Sequence, residues 1–321
     1  MPTVSIIIPC YNEEKTIGKL LAALHAQTTP HAEMEVVISD GRSEDATLAV
    51  IEAFRQSHPD LTIEVIVNPG RSIPAALNLA IARARGEFIV RLDAHSVPHP
   101  EYVANSLRLL QAGRGANVGG VWEIQPGADT WMAASIAAAA AHPLGVGDAK
   151  YRYTDQAGPT DTVPFGAFRK TLALEVGGFD ESLLANEDYE FNTRLRRAGQ
   201  VVYLDPSIRA VYYARPTLKA LWTQYARYGF WKTRMLKRYP GTLRWRQALP
   251  PVFVAGLLGG ALLFPWLGAL RGLYGLAVVS YALALLTAGA LLAIRRRKWQ
   301  LALGVPLAIA TMHLAWGGAF L

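Results

Sequence analysis

The stretch GEFIVRLDAHSV, Gly86 to Val97, begins as an apolar run and then offers a carboxylate at Asp93 and an imidazole at His95. Side chains two apart on an extended chain leave the same face, so this spacing predicts that both reach one divalent cation at the end of a strand. Imidazole is a softer ligand than carboxylate and binds only when neutral. Mn²⁺ is therefore expected to be favoured over Mg²⁺, with function declining as His95 protonates. The alternative is an ordinary turn histidine beside an Asp93 that binds ribose or metal alone. Two further acids follow apolar runs in the same manner: Glu13 after VSIIIPCYN, and Asp40 at the end of EVVISD. Asp40, within SDGRSED, also reads as a turn residue, and Glu13 as an acid favouring a first helical turn. Their recurrence at strand ends points to a site.

No GxGxxG follows the first strand and no GxxxxGK[ST] occurs anywhere, which excludes a dinucleotide fingerprint and a P-loop. A nucleotide bound here would be held through carboxylates and a metal.

The elements that must position these groups are legible in the hydrophobic spacing. VSIIIP is followed by Ile17, Leu20, Leu21 and Leu24 at helical intervals, EVVIS by Leu48, Ile51 and Phe54, and IEVIV by Leu77, Ile81 and Ala84, before EFIVRL. This βαβ series predicts an α/β domain with a mainly parallel sheet, whose ligands bind beyond the carboxyl ends of the strands. A further strand is expected at VPFGAFRK, where Gly166 serves either close approach of substrate or a bulge.

Charge and hydropathy divide the 321-residue chain. All 25 acidic residues lie at or before Asp205, whereas 15 of the 32 Lys and Arg lie after it. From Leu249 to Leu321 run three apolar blocks, separated by Arg271 and by RRRK, each longer than the roughly 20 residues that cross a bilayer core. With 51% hydrophobic residues overall, part of the chain is expected in lipid. The single Cys10 forms no intramolecular disulfide and, with no signal-peptide pattern at the N-terminus, suggests a reducing compartment.

Residues 215–248 interleave aromatics with nine basic residues, although Lys232 interrupts the apolar stripe. Such a segment before a span reads as an interfacial helix on an anionic leaflet of membrane lipids. The expected organisation is a cytoplasmic domain over 1–214, an interfacial segment over 215–248 and three spans over 249–321, with RRRK cytoplasmic and the C-terminus external. The first block, with Pro250, Pro251 and Pro265, could instead lie in the interface. A nucleic-acid partner is not expected, because the basic residues adjoin the apolar blocks and the globular half is net acidic.

SIIIPCYNEE, ISDGRSEDAT, NPGRSIPAALNLAIARARGEFIVRLDAH, GGFDESL and NEDYEFNTRLRRAG together resemble the successive motifs of family-two inverting glycosyltransferases of GT-A fold. With RLDAH, QYARYGFWK and three terminal spans, the chain is most similar to the succinoglycan-biosynthesis type. The resemblance implies transfer from a UDP-sugar, glucose in that branch, to a polyprenyl-diphosphate type lipid-linked saccharide in the bacterial inner membrane. By position it implies that Pro9, Tyr11 and Glu13 line the nucleoside pocket, that Asp40 binds the base, and that Arg71 and Asn78 lie near the nucleotide-sugar. Asp93 and His95 occupy the place of the DxD motif. Asp188 is the implied catalytic base, and Glu187, Gln224 and Arg227 fall in the acceptor site. NEDYEFNTRLRRAG reads without the family as an exposed helix with dipole-matched charges. QYARY departs from the QxxRW of processive synthases, which argues for single-sugar addition. A processive synthase and a catalytically inactive nucleotide-sugar-binding protein remain the alternatives.

Overall fold

The computed structural model describes residues 2–266 and 268–321. They form two compact units: the chain up to Glu123 with Thr154–Tyr212, and Ile124–Tyr153 with Tyr213–Leu321.

The first unit opens with the predicted alternation: β1 (Val4–Cys10), α1 (Ile17–His25), β2 (Met34–Asp40), α2 (Thr47–Ser57), β3 (Thr62–Val67), α3 (Ile73–Arg83) and β4 (Phe88–Arg91). β3, β2, β1 and β4 pair in that order and all in parallel, so Cys10, Asp40 and Arg91 end at one edge. α1 buries Ile17, Leu20, Leu21 and Leu24, the four residues its spacing singled out. Each such side chain contributes about 1.5–3 kcal/mol by leaving water.

Beyond β4 the connections change. β5 (Val97–Pro98) and α4 (Tyr102–Gln111) lead to β6 (Asn117–Gln125), and after an excursion into the second unit come β7 (Gly158–Pro159), β8 (Ala167–Arg169), α7 (Lys170–Glu175), α8 (Glu187–Arg197) and β9 (Val202–Tyr213). β8 pairs antiparallel with β4 and with β6, and β9 antiparallel with β5 and β7. The sheet is therefore mixed, parallel through its first half and antiparallel beyond.

The excursion carries α5 (Trp131–Ala140) and α6 (Pro143–Val146), which group with α9 (Leu218–Arg238), α10 (Trp245–Leu263), α11 (Arg271–Arg296) and α12 (Leu301–Phe320). The expected uninterrupted domain over 1–214 thus lacks residues 124–153. The reason is the composition of α5, WMAASIAAAA, whose small residues are buried on nearly every side and which packs on α12. α9 also packs on α12, closely enough that a Cβ on Gly229 would stand 2.3 Å from the Trp316 carbonyl oxygen. The apolar stripe of α9 does continue through Lys232, which is fully buried and donates from Nζ to the Thr242 carbonyl at 3.0 Å.

Three helical stretches, Trp245–Trp266, Arg271–Arg296 and Leu301–Phe320, are long and apolar enough to cross a membrane. The first begins four residues before the expected block, whose Leu267 lies outside the described residues. Arg246 and Arg244 near its start pair with Asp148, whose carboxyl burial would raise but whose two arginines hold below the usual range.

Candidate active site

The site is built from the carboxyl edge of the first unit. Arg91, last in β4, sits between β1 and β8, donating its backbone N–H to Gly166 O at 2.9 Å. Its side chain is 4% exposed, and Nη2 donates to Glu187 Oε1 at 2.9 Å and to Asp93 Oδ1 at 3.3 Å. Burial disfavours the guanidinium charge, but Asp93, Glu187 and Asp188 outweigh it and keep Arg91 protonated. Its Nε and Nη1 have no hydrogen-bond partner among the described residues; the Phe179 ring lies 5.8 Å away, in cation–π range. Sequence reasoning missed Arg91. The available signal was a charge within an apolar strand, which a buried strand carries only when it is paired.

Glu187 and Asp188 open α8 behind Asn186, a residue in the left-handed region at φ 65°. Glu187 is buried against Arg91, while Asp188 is half-buried and accepts from Tyr189 N at 2.7 Å through Oδ1. Burial first, then the Glu187 charge, push the Asp188 carboxyl up to about 6, against the opposing pull of Arg91. A carboxyl in that range exchanges protons near neutrality.

Asp93 and His95 do not continue an extended strand. β4 ends at Arg91, and Ser96 N donates to Asp93 O at 2.9 Å, closing a turn. The same-face argument from an extended chain therefore does not hold: Asp93 turns one oxygen to Arg91, and His95 Nδ1 lies 3.2 Å from Glu13 Oε1. Glu13 also accepts from the Thr16 hydroxyl. Burial would raise its carboxyl, but hydrogen bonds from His95 and Thr16 bring it below the usual range, with Asp93 near enough to oppose them. Two carboxylates and an imidazole are the right chemistry for a divalent transition metal, and Asp93 Oδ2 makes no hydrogen bond among the described residues. Their ligand atoms are not drawn into one tight cluster; the three-residue cluster within 4.8 Å among the described residues is elsewhere.

The remaining expected residues are distributed around this edge. Pro9 lies in β1, beside Ser39 of β2. Asp40 is buried and accepts from Ser43 N at 2.9 Å and Ser43 Oγ at 2.6 Å, so it organises the turn after β2. Arg71 pairs with Glu44 at 3.0 Å and lies 5.4 Å from the exposed Tyr11 ring. Asn78 is engaged at both ends of its amide, with Phe179 N, Phe179 O and Glu181, and so holds the loop before α8. Gln224 and Arg227 lie on α9 of the second unit, Gln224 donating to Tyr228 Oη at 3.0 Å. Cys10 is no nucleophile, because burial and then Asp40 push its thiol up to about 12.

Gly166 serves a neighbour within the protein. Its φ is +85°, and a Cβ there would stand 2.5 Å from Asn117 Oδ1. Asn117 donates to Asn192 of α8 at 2.6 Å, and Asn192 to Thr162 at 3.0 Å. Arg194 of α8 donates to the carbonyls of Val176 and Gly178, so α8 is fixed from two sides.

A βαβ half-sheet ending in acids, with an acidic helix start brought against it by a buried arginine, defines a nucleotide-sugar-dependent transferase of GT-A type. The chain belongs to glycosyl transferase family 2, which it matches over residues 5–177, and it is a glycosyltransferase. Succinoglycan biosynthesis protein ExoA of Rhizobium meliloti (strain 1021) is 32% identical across 98% of this chain and 93% of that protein. A dolichyl N-acetyl-alpha-D-glucosaminyl phosphate 3-beta-D-2,3-diacetamido-2,3-dideoxy-beta-D-glucuronosyltransferase of Methanococcus voltae is 29% identical across 76% of this chain and 77% of its own length. The solved mannosyltransferase of Pyrobaculum calidifontis, in complex with GDP-Man and Mn²⁺, shares the fold at a TM-score of 0.60 and 22% identity, over 98% of this chain and 87% of that one.

Proposed function

We propose that this glycosyltransferase moves a single sugar, glucose in the first instance, from a UDP-sugar to a hydroxyl of a polyprenyl-diphosphate type saccharide during cell-surface or exopolysaccharide synthesis, with inversion. The observation that carries the reading is Asp188, a carboxyl raised toward neutrality at the start of α8 and within the field of Arg91, Glu187 and Asp93. The activities of the relatives, succinoglycan biosynthesis and transfer to a dolichyl-phosphate-linked sugar, support a lipid-linked acceptor.

In this reading Pro9, Tyr11, Glu13, Asp40 and Arg71 hold the nucleoside, with Asn78 near the donor. Glu187 meets the acceptor. Asp188 takes the proton of the acceptor hydroxyl, whose oxygen forms the new bond to the anomeric carbon while the bond to the nucleoside diphosphate breaks on the opposite face. Asp93, with His95, would hold a divalent metal, which would supply positive charge for the leaving diphosphate, Mn²⁺ suiting this ligand pair better than Mg²⁺. The Mn²⁺ in the Pyrobaculum calidifontis structure supports a divalent metal. The three apolar helices anchor the protein in the bacterial inner membrane with its catalytic domain in the cytoplasm, residues 215–248 lying on the membrane lipids.

The test offers membranes containing the full chain a panel of radiolabelled UDP-, GDP- and TDP-sugars with Mn²⁺ or Mg²⁺, and follows label into the lipid fraction. The expected result is one sugar added from a UDP donor, with the higher rate in Mn²⁺. A ladder of products overturns the reading in favour of processive synthesis, and nucleotide binding without any transfer in favour of a binding protein.

A further inference from the structure

At the amino edge of the parallel strands, away from the ends that carry Asp40 and Asp93, three potential ligands converge. His25 closes α1, His31 begins the single turn His31–Glu33 that precedes β2, and Asp60 lies just before β3. His25 Nε2 is 3.1 Å and His31 Nδ1 2.7 Å from the same oxygen, Asp60 Oδ2. All three ligand atoms lie within 4.8 Å of one another. We propose that His25, His31 and Asp60 form a transition-metal site, with zinc the best-fitting ion, that ties the α1–β2 connection to the start of β3.

The tautomer of His31 carries the argument. Its Nε2 is 2.8 Å from the His25 carbonyl oxygen, which can only accept, so Nε2 bears a hydrogen. In the neutral ring Nδ1 is then a lone pair, directed at a carboxylate oxygen that is also an acceptor. Only a second proton or a metal cation reconciles them. A histidine whose far nitrogen donates to a backbone carbonyl is oriented as metal-bound imidazoles are.

The spacing also fits. Zinc bonds of about 2.0–2.1 Å in tetrahedral geometry place ligand atoms about 3.3 Å apart, so the observed 3.1 and 2.7 Å to Asp60 Oδ2 would open by about 0.2 and 0.6 Å, with the two imidazole nitrogens already within 4.8 Å of each other. The rings are held in place: His25 and His31 stand 4.6 Å apart, and His58, stacked on Phe54 at 4.1 Å, meets His25 edge-on at 4.5 Å. The cluster remains open to solvent, with Asp60 55% exposed, so an ion can enter and keep water as its fourth ligand.

The full chain, purified in detergent, stripped with chelator and re-equilibrated with low-micromolar ZnCl₂ without nucleotide, provides the test. Bound zinc is counted by elemental analysis and unfolding followed thermally, with Co²⁺ substitution to read tetrahedral ligation in the visible spectrum. The wild type is expected to hold one more zinc per chain than His25→Ala or His31→Ala, and Asp93→Asn one more than Asp93→Asn combined with either, each with a gain of several degrees in Tm that the histidine variants do not show. Asp60→Asn keeps the side-chain shape and is expected to lose the same zinc, which covers the case of an imidazole variant that fails to fold. Equal zinc in Asp60→Asn and the wild type, or no zinc in the wild type, overturns the site in favour of a protonated His31 paired with Asp60.

Discussion

Arg91 opposes the rise of the Asp188 carboxyl, and this coupling can be measured through pH. As the proposed base, Asp188 would have to be ionised to accept a proton, so kcat/KM is expected to fall as pH drops through about 6, the value to which burial and Glu187 raise it. Asp188→Asn is expected to lower transfer by roughly 10²-fold or more while leaving nucleotide affinity intact. Arg91 opposes that rise, so Arg91→Gln should move the acid limb to higher pH; an unmoved limb would separate the two residues. The stability sign runs opposite to activity. A carboxyl raised above its ordinary 3.8 makes the folded state less stable as pH climbs from about 4 to about 6, so the Asn variant should melt no lower than the wild type at pH 7.5. Much of this group was readable as residue types: acids at strand ends and the acid pair of NEDYEF. What was not readable was direction. The turn closed by Ser96 aims Asp93 at Arg91 and leaves His95 beside Glu13, and no spacing rule for extended chain encodes that turn.

At the scale of elements, the site depends on how α8 is held, and one glycine tests it. Gly166→Ala meets two costs: a left-handed φ of +85°, worth about 1–2 kcal/mol for a residue with a Cβ, and a 2.5 Å approach to Asn117 Oδ1. The substitution is expected to destabilise the protein by about 2 kcal/mol or more and to lower transfer. Adding Asn117→Ala should recover the steric part of that loss and not the backbone part; thermal unfolding of the single and double variants measures the coupling. If Gly166→Ala alone melts like the wild type, the contact with Asn117 does not constrain α8. α1 was legible because four apolar residues at helical spacing face one core. β8 was legible only as part of an expected strand, since its three residues are too few for a period. α5 has no polar face to reveal which surface it buries, and its union with the C-terminal helices rests on partners more than 150 residues away, such as Gly304 against Ser135.

For the whole molecule, the distribution of charge carries the topology prediction, because basic residues bias on which side of a membrane each part would reside. Positive residues next to apolar spans are retained in the cytoplasm, and acidic residues contribute little to that choice. Arg244 and Arg246 flank the start of the first apolar helix, Arg295 and Arg296 close the second, and Arg297 and Lys298 lie between the second and third. Both clusters are cytoplasmic only if the first two helices form a crossing out and back, after which the third carries the C-terminus outside. Reporters fused after Lys298 are therefore expected to be active only as cytoplasmic proteins, and reporters fused after Leu321 only as exported ones. Replacing Arg295, Arg296 and Arg297 with Gln should weaken that bias and yield mixed signals at both positions. A cytoplasmic reporter after Leu321 in the unaltered chain would mean an even number of crossings. The first helix, with Pro250 and Pro251 inside it, would then be the one that lies along the interface.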